Sequence, residues 1–496
     1  MPLTPKAIYR DFVNGDLDKS FAIELLLTLI DNAEKIEARI ESINVLDKIQ
    51  VNDEKTFEFL EHLLISDLNE GIRYLTISVL RNHYLESALN PMIWALEHEK
   101  SLKCLISIIS TIGEIETDDA NLVLLKELNK FHKKDYKRSG DDIFKKEYAE
   151  NVPNKELADI LINYNLITFL KKTFGYFKFK NNEYGRITEL DLSNVERYSS
   201  GLNKLENFLE AIFTVKDLKK CDLRFNHLTK FPDVVNNSIE YLDLSYNKLV
   251  RIPNLQNFTI LKSLNLKSNR LRMLPESLGS QRILEYLNLR NNMLAELPET
   301  LNLLSSLKVL DLHGNKLNLI NFNLSSSIRE LELGWNNFKT VPNGVKQLLS
   351  LERLGLGGNK LINIPDWIGQ FYLLKHLDLY DNRLFEIPIS FGHLKSLEHL
   401  NLRNNQITEL PPSLTNMKSI KTLNLSWNNL TSIPDWIASL SSLEELNLWG
   451  NKLKTLPESI SLLTSLKVLD LNFNRFDEKP PFLKDLEQTR GLVIKL

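Results

Sequence analysis

One short string of residues dominates the chain and recurs at nearly constant spacing. Twelve copies of an 11-residue pattern begin between Leu218 and Leu466 at intervals of 21–23 residues, with apolar residues at positions 1, 4, 6 and 11 (Cys221 at one position 4) and Asn at position 9. Typical copies are LKSLNLKSNRL at 261 and LKVLDLHGNKL at 307, and a degenerate copy, ITELDLSNV, begins at Ile187. So regular a period predicts that every copy folds into the same unit and that successive units stack.

The residue types within one copy indicate how the units stack. The apolar positions point inward and are buried only against the neighbouring copies, so the segment between them is predicted to be a strand of a parallel sheet. The Asn at position 9 can satisfy backbone groups in the turn that leaves the strand. In ten copies an apolar–Pro pair follows, which fixes φ and prevents a strand on the opposite side. Cys221 is interpreted as a core residue.

The first 133 residues have a different period. Leu102, Leu105, Ile109 and Ile112 follow helical spacing. Paired helices are predicted at 56–67 with 70–83 and at 88–99 with 101–113, about 30 residues apart, which is typical of two-helix repeats.

Both segments resemble known repeat families. The LxxLxLxxNxL pattern with its following LPxx segment resembles the Ras-group, 23-residue intracellular leucine-rich repeats, and ARIESINVLDKI and SLKCLISIISTIGEI are similar to HEAT-like repeats. The resemblance implies an α/β solenoid, a leucine-rich-repeat horseshoe with its parallel sheet on the concave face, preceded by an all-α HEAT-like superhelical domain. The predicted domains are 1–133 (HEAT-like), 134–173 (charged linker and helical connector), 174–217 (N-terminal cap and degenerate first repeat), 218–479 (twelve regular repeats) and 480–496 (C-terminal cap).

Composition excludes several classes of protein. The 61 basic and 64 acidic side chains nearly cancel, and two cysteines supply neither a disulfide framework nor a zinc module. We expect a cytoplasmic protein without a signal peptide or membrane contact, since no early apolar run is long enough. Phosphate-binding, dinucleotide-binding, zinc-protease and serine-hydrolase motifs do not occur in the sequence, so neither enzymatic activity nor a cofactor is predicted.

Positions 2, 3, 5, 7 and 8 of the copies are expected on the concave face or its rim. Position 2 alternates in sign from copy to copy, except between Lys308 and Arg329, and this predicts ion pairs between neighbouring strands. Beside that break, Gly355 and Gly357 suggest a bare backbone floor that would admit a partner's side chain, with Trp335 at its edge and Arg353 paired with Glu330. Exposed aromatic and arginine side chains are typical of interfaces. The candidate protein-binding residues are therefore Trp335, Arg353, Glu330, Gly355, Gly357, His376, Tyr380, Asp381, His399, Arg403, Trp427 and Trp449.

Two alternatives concern the same face. His376 and His399 occupy position 3 of adjacent copies beside Asp378 and Asn401, so a metal site is conceivable, but two histidines in a recognition surface are the favoured interpretation and no metal is predicted. Nucleic acid is the other alternative, because four basic residues share position 7: Arg224, Lys267, Arg290 and Arg403. The acidic residues at position 5 beside them would repel phosphate, so nucleic acid is disfavoured.

These observations predict a non-catalytic scaffold that binds a protein on the concave face. Residues 1–134 carry 15 basic and 23 acidic side chains, a net charge of −8, so the HEAT-like segment offers a second surface of different sign for another partner. The alternative is a regulator of a small GTPase or another signalling enzyme, which the resemblance to the Ras-group repeats implies. An exposed adhesin or effector is a third possibility.

Overall fold

The structure, a computed structural model, describes residues 4–133, 152–198, 204–252, 255–478 and 480–496. The chain divides into two compact units. The first consists mainly of the segment that ends at Asp191, and the second mainly of Lys219–Leu496.

Nine helices of the described chain form most of the first unit. They are α1 (Pro5–Val13), α2 (Lys19–Asn32), α3 (Ile36–Ile49), α4 (Glu54–Ser66), α5 (Glu70–His83), α6 (Leu89–His98), α7 (Leu102–Glu114), α8 (Asp118–Lys133) and α9 (Asn154–Phe174). Helices α4 and α5, and α6 and α7, are the predicted pairs, and α3, α5, α7 and α9 contact one another in turn. Asp18, Asp53, Asn69 and Ser101 cap α2, α4, α5 and α7, each accepting a backbone N–H three residues along.

Helix α9 packs against α7 and α8, with Leu161, Leu166 and Ile167 buried. Residues 154–173 of the predicted charged linker and helical connector form a helix packed within the first unit, while residues 134–151 of that prediction lie outside the described residues. The described part of the unit is helical up to the end of α9, and its HEAT-like character stays a prediction. No helix in the part of the chain that the structure describes is long and apolar enough to cross a membrane.

A hairpin follows α9. Strands β1 (Lys178–Asn181) and β2 (Ile187–Asp191) pair antiparallel. The hairpin and a short helix, α10 (Leu209–Phe213), are grouped with the first unit. The predicted role of residues 174–217 as a cap for the repeats stays a prediction.

The second unit contains one short strand per copy, formed by positions 3 to 5, and a final strand from the tail. They are β3 (Lys220–Asp222), β4 (Tyr241–Asp243), β5 (Ser263–Asn265), β6 (Tyr286–Asn288), β7 (Val309–Asp311), β8 (Glu330–Glu332), β9 (Arg353–Gly355), β10 (His376–Asp378), β11 (His399–Asn401), β12 (Thr422–Asn424), β13 (Glu445–Asn447), β14 (Val468–Asp470) and β15 (Val493–Lys495). All pair parallel in chain order, and equal positions of neighbouring copies face each other, as Leu377 faces Leu400.

The core of this unit is the column of inward apolar side chains, and Cys221 is buried among them as predicted. Eleven of the twelve position-9 asparagines are buried, and they connect successive copies: Asn382 Nδ2 donates to the carbonyl of Leu356, and its Oδ1 accepts from the N–H of Leu361, both at 3.0 Å. Within the described residues, eight of the ten prolines precede short 3-10 helices, such as Asp366–Gln370 after Pro365. The tail forms α11 (Pro481–Arg490) and β15, which pairs with β14.

The ion pairs predicted at position 2 form. Each of five lysines reaches the glutamate of the preceding copy at 2.5–2.9 Å: Lys262, Lys308, Lys375, Lys421 and Lys467. At the like-charge step, Arg329 pairs instead with Glu352 of the following copy at 3.6 Å. The break in alternation therefore leaves neither cation without an ion pair.

Candidate functional site

Positions 3, 5, 7 and 8 of the copies form the outer surface of the sheet, called the sheet face below. Position 4 is buried in every strand from β3 to β14, so its neighbours at positions 3 and 5 point the other way. Position 8 has a special backbone: in all twelve regular copies its φ lies between 50° and 70°. Nine of these residues are not glycine, although the left-handed conformation costs an ordinary residue about 1–2 kcal/mol.

This backbone directs the position-8 side chain across the next copy. The Trp335 ring lies over Gly358, where an added Cβ would approach it to 2.9 Å, and the Trp427 ring lies over Gly450 in the same way at 3.0 Å. A glycine at position 8 therefore accommodates the aromatic ring of the copy before it. The sequence pattern did not reveal this conformation.

The predicted glycine floor is not bare, so that prediction is wrong. Trp335 Nε1 donates a hydrogen bond of 2.6 Å to the Tyr380 hydroxyl, and the two side chains meet above the glycines between them. A Cβ on Gly357 would collide with the Tyr380 ring, and one on Gly355 would collide with the Glu332 carboxylate. Small residues here let large neighbouring side chains lie flat on the backbone, which fills the space.

Arg353 also has a different partner from the one predicted. Its guanidinium lies 3.6 Å from Glu332, although Glu330 is its register neighbour on β8. Glu330 itself has no ion pair among the residues that the structure covers. We define the central patch as two adjoining sets of contacting residues: Glu332, Arg353 and Gly355 in one, and Trp335, Gly357, Gly358 and Tyr380 in the other.

Glu332 is the electrostatic centre of this patch, and the sequence analysis did not select it as a site residue. Burial raises the pKa of its carboxyl to about 7, and the neighbouring Asp311 and Asp378 add to the rise while Arg353 opposes it. The pKa values of Asp311 and Asp378 are raised as well, chiefly by burial. The sequence did contain a signal for Glu332: an acidic residue at position 5 is followed, at position 5 of the next copy, by a glycine, Gly355.

The two histidines lie side by side, as their spacing predicted. Their rings stack with centroids 4.5 Å apart and planes 6° from parallel, and His399 Nδ1 lies 2.7 Å from the Thr422 hydroxyl. Burial, helped by Arg353 and His399, lowers the pKa of His376. Asp378 lines the same groove, yet no group of three or more His, Cys, Asp or Glu side chains in the described ranges could hold a metal ion.

The floor of this groove continues as three asparagines at position 5 of neighbouring strands, called the amide row below: Asn401, Asn424 and Asn447. Each amide oxygen accepts the backbone N–H two residues along, from Arg403 at 3.2 Å, Ser426 at 3.0 Å and Trp449 at 3.0 Å. Only the amide oxygen can accept these hydrogen bonds, so the amide nitrogen of each side chain is the group that is left to donate. Over the described chain, none of the three nitrogens has a hydrogen-bond partner.

An aromatic cluster borders the amide row in the same copies. Trp427 and Trp449 pack edge to face with centroids 5.2 Å apart, and Phe473 lies 5.9 Å from Trp449. The Arg403 guanidinium lies 6.0 Å from the centre of the Trp449 ring. The exposed fraction is 45% for Trp427 and 77% for Phe473. We call Arg403, Trp427, Trp449 and Phe473 the C-terminal patch; only Phe473 had been missed.

The predicted site residues therefore separate into two groups. Most of the residues predicted between 335 and 380 lie in the central patch and contact one another, whereas His399 adjoins the amide row and Arg403, Trp427 and Trp449 form the C-terminal patch. Asp381 lies between the groups, where its carboxylate accepts a 2.7 Å hydrogen bond from Asn404 Nδ2.

Comparison with known proteins gives matches over the repeats. Two family models match, one described as a leucine-rich repeat region over residues 357–487 and one as a leucine rich repeat over residues 259–317. A leucine-rich repeat protein of Leptospira interrogans is 30% identical, with 65% of this chain and 94% of that chain covered and a TM-score of 0.48.

The functional domain of InlJ from Listeria monocytogenes, whose structure includes a cysteine ladder, shares the fold. It is 24% identical, with 62% of this chain and 63% of that chain covered and a TM-score of 0.52. A search of curated proteins gives no match.

Proposed function

Because the chain belongs to the leucine-rich repeat family, whose members are generally protein-interaction modules, we propose that it is a non-catalytic scaffold that holds a protein partner on its sheet face. The partner's main contact is the C-terminal patch. This assignment moves the binding surface away from the glycine-rich centre, where side chains already satisfy one another.

The observation that carries the proposal is the composition of the C-terminal patch, together with the lack of polar partners for Trp427 and Arg403 among the described residues. Tryptophan and arginine contribute most to the energy of protein interfaces when they become buried. Here Trp427 and Phe473 are exposed, and Arg403 has no ion-pair partner among the residues described. A partner that covers these residues buries the aromatic rings and can place an acidic group against Arg403. No existing ion pair has to break for this contact to form.

The perturbed carboxyl of Glu332 does not require a catalytic role. Burial and the proximity of the Asp311 and Asp378 carboxyls account for its raised pKa. Ionisable groups in structural networks are perturbed in the same way as catalytic ones. The central patch is accordingly assigned to holding neighbouring copies in register.

The finer parts of the proposal concern the partners. An adaptor would bind a second protein through the helical unit, and a regulator of a small GTPase would occupy the surface of that enzyme which changes with nucleotide. Binding that depends on whether GDP or GTP is loaded separates the regulator from a plain scaffold. We place the protein in the cytoplasm, which cell fractionation would test.

The test is affinity capture from a native lysate with cross-linking and mass spectrometry. Wild type is compared with Trp427→Ala and with the matched control Phe225→Ala, which removes a position-8 aromatic of similar backbone, φ 57° against 53°, at the other end of the sheet. Thermal melts establish that both variants fold.

A partner retained by wild type and Phe225→Ala but lost by Trp427→Ala supports the proposal. Equal retention by all three proteins would move the site away from the C-terminal patch. Absence of any specific protein from every capture would contradict the scaffold function itself.

A further inference from the structure

The amide row differs from the other asparagines at position 5. In the N-terminal copies Asn265 Nδ2 donates to the Asp243 carboxylate at 3.0 Å, and Asn288 Nδ2 donates to the Tyr286 hydroxyl at 2.9 Å. In Asn401, Asn424 and Asn447 the same nitrogen has no partner within the described residues. Six N–H bonds on three successive strands are thus available to a ligand.

We infer that the amide row binds a carboxylate side chain from an extended, acidic segment of the partner protein; this inference rests on the proposed function of the sheet face. Neighbouring strands lie about 4.7–4.9 Å apart, so a carboxylate above two rungs reaches amide hydrogens on both. The amide oxygens are held by backbone N–H groups, which keeps the donors pointing outward without further ordering.

The surroundings of the row favour a carboxylate over a neutral acceptor. Arg403 lies on one side without an ion pair among the described residues, and His399 on the other side has its Nδ1 engaged with Thr422. A partner's Asp or Glu would meet the Arg403 guanidinium beside the amide hydrogens, and hydrogen bonds to a charged group are stronger than neutral ones. The aromatic rings of Trp427 and Phe473 would take an adjacent apolar side chain.

Three acidic residues argue against a nucleic acid in the same groove. Asp378 and Asp470 occupy position 5 at the two ends of the amide row, and Glu445 is exposed beside it. A continuous phosphate backbone would have to pass all of them, whereas a peptide places its carboxylate at one point between them.

The chain itself supplies the variant that tests the inference. Asp243 occupies the position equivalent to Asn424 and accepts from the backbone and hydroxyl of Ser245 at 2.8 and 2.6 Å, as Asn424 does from Ser426 at 3.0 and 2.7 Å. Asn424→Asp therefore keeps the local structure while replacing two donors with a negative oxygen. Asn288→Asp makes the same change at position 5 where the amide nitrogen is already bonded to Tyr286.

The probe is a displayed library of random 12-residue peptides, selected on the immobilised full-length chain. We expect enriched sequences with an excess of Asp or Glu next to aromatic or aliphatic residues. A synthetic enriched peptide should lose about tenfold or more in affinity for Asn424→Asp. Its affinity for Asn288→Asp should be unchanged, and its own Asp→Asn or Glu→Gln version should bind wild type equally weakly.

Each other outcome overturns the inference in a distinguishable way. If peptides need Trp427 for binding but have the same affinity for Asn424→Asp as for wild type, the proposed function stands. The inference that the amide row binds a carboxylate is then wrong. No enrichment above background would exclude an extended peptide as occupant, while capture of a folded partner would still support the scaffold. A single-stranded oligonucleotide that binds wild type and loses affinity for Asn424→Asp would assign the row to nucleic acid.

Discussion

The central patch and the C-terminal patch are built on the same repeat backbone, but they differ in whether their polar side chains find partners within the chain. In the central patch the Trp335 indole donates to Tyr380, and Arg353 lies against the Glu332 carboxylate. Trp335 and Trp427 are both exposed, at 53% and 45%, but among the described residues the Trp427 indole N–H has no hydrogen-bond partner and Arg403 has no ion pair and lies over the face of Trp449. A tryptophan at position 8 therefore does not by itself mark a binding surface; what matters is whether the next two copies supply partners for it.

The largest expected effect compares these two tryptophans directly. Replacing Trp427 by Ala should weaken partner binding by about 2 kcal/mol, roughly 30-fold, because a central interface anchor is lost. Trp335→Ala should change the affinity by less than about threefold, since its indole N–H is already bonded within the chain. Titration calorimetry with the captured partner measures both, and the reverse order of effects would contradict the distinction between the patches.

A second prediction concerns stability rather than binding, and it uses the raised pKa of Glu332. The folded chain holds this proton up to a pKa of about 7, against 4.5 for an ordinary glutamate, so the stabilisation present below pH 4.5 is lost as the pH rises to about 7. Glu332→Gln does not titrate and should not lose it. Between pH 4.5 and 7.5 the free energy of unfolding of the variant, measured relative to that of wild type, should therefore increase by about 1–2 kcal/mol.

Urea unfolding at several pH values measures this difference, and partner binding at constant pH serves as the control. A pH-independent difference between the two proteins would mean that Glu332 is not buried as described. A large loss of binding in Glu332→Gln would mean that the central patch contacts the partner.

A third prediction tests the left-handed backbone that both patches share. Trp335→Gly and Trp335→Ala remove the same ring, but only glycine is relieved of the strain at φ 51°. The glycine variant should be more stable than the alanine variant by about 1 kcal/mol, the reverse of the usual order in regular structure. Thermal or urea unfolding decides, and greater stability of the alanine variant would show that position 8 relaxes when the ring is removed.

The smallest effect is expected for the position-2 charges, which run past both patches alike. Lys375→Gln beside the central patch and Lys421→Gln beside the C-terminal patch each break one exposed ion pair. Such pairs contribute little because water and salt screen them. Neither variant should shift the melting temperature beyond experimental error, and a clear loss in only one would reveal a role particular to that patch.

Much of the fold could be predicted from the sequence, because the buried apolar residues recur at the same positions in every copy. The strands at positions 3–5, the buried Cys221 and the connecting asparagines all follow from it. The helix pairs at α4–α5 and α6–α7 follow from helical spacing in the same way. The period does not contain the backbone conformation at position 8, which decides where Trp335 and Trp427 point.

The candidate site was predictable only in part for the same reason. Residue types placed Arg403, Trp427 and Trp449 on the surface together, but glycines at 355 and 357 suggested an open floor that Glu332 and Tyr380 cover. Whether a neighbour fills the space above a glycine depends on side-chain direction and reach, which a repeat pattern does not specify. The amide row had a signal, three successive asparagines at position 5, but its free donors appear only once the hydrogen bonds of each oxygen are known.

The most direct test of the central claim is site-specific photo-cross-linking to the captured partner. A benzophenone-bearing phenylalanine analogue replaces Phe473 in one protein and Phe225 in another; both are exposed phenylalanines at position 8, with φ of 55° and 57°. The account predicts a covalent adduct with the partner from position 473 and none from position 225. An adduct from 225 alone, or from an analogue placed at Tyr380 in the central patch and not from 473, would contradict it.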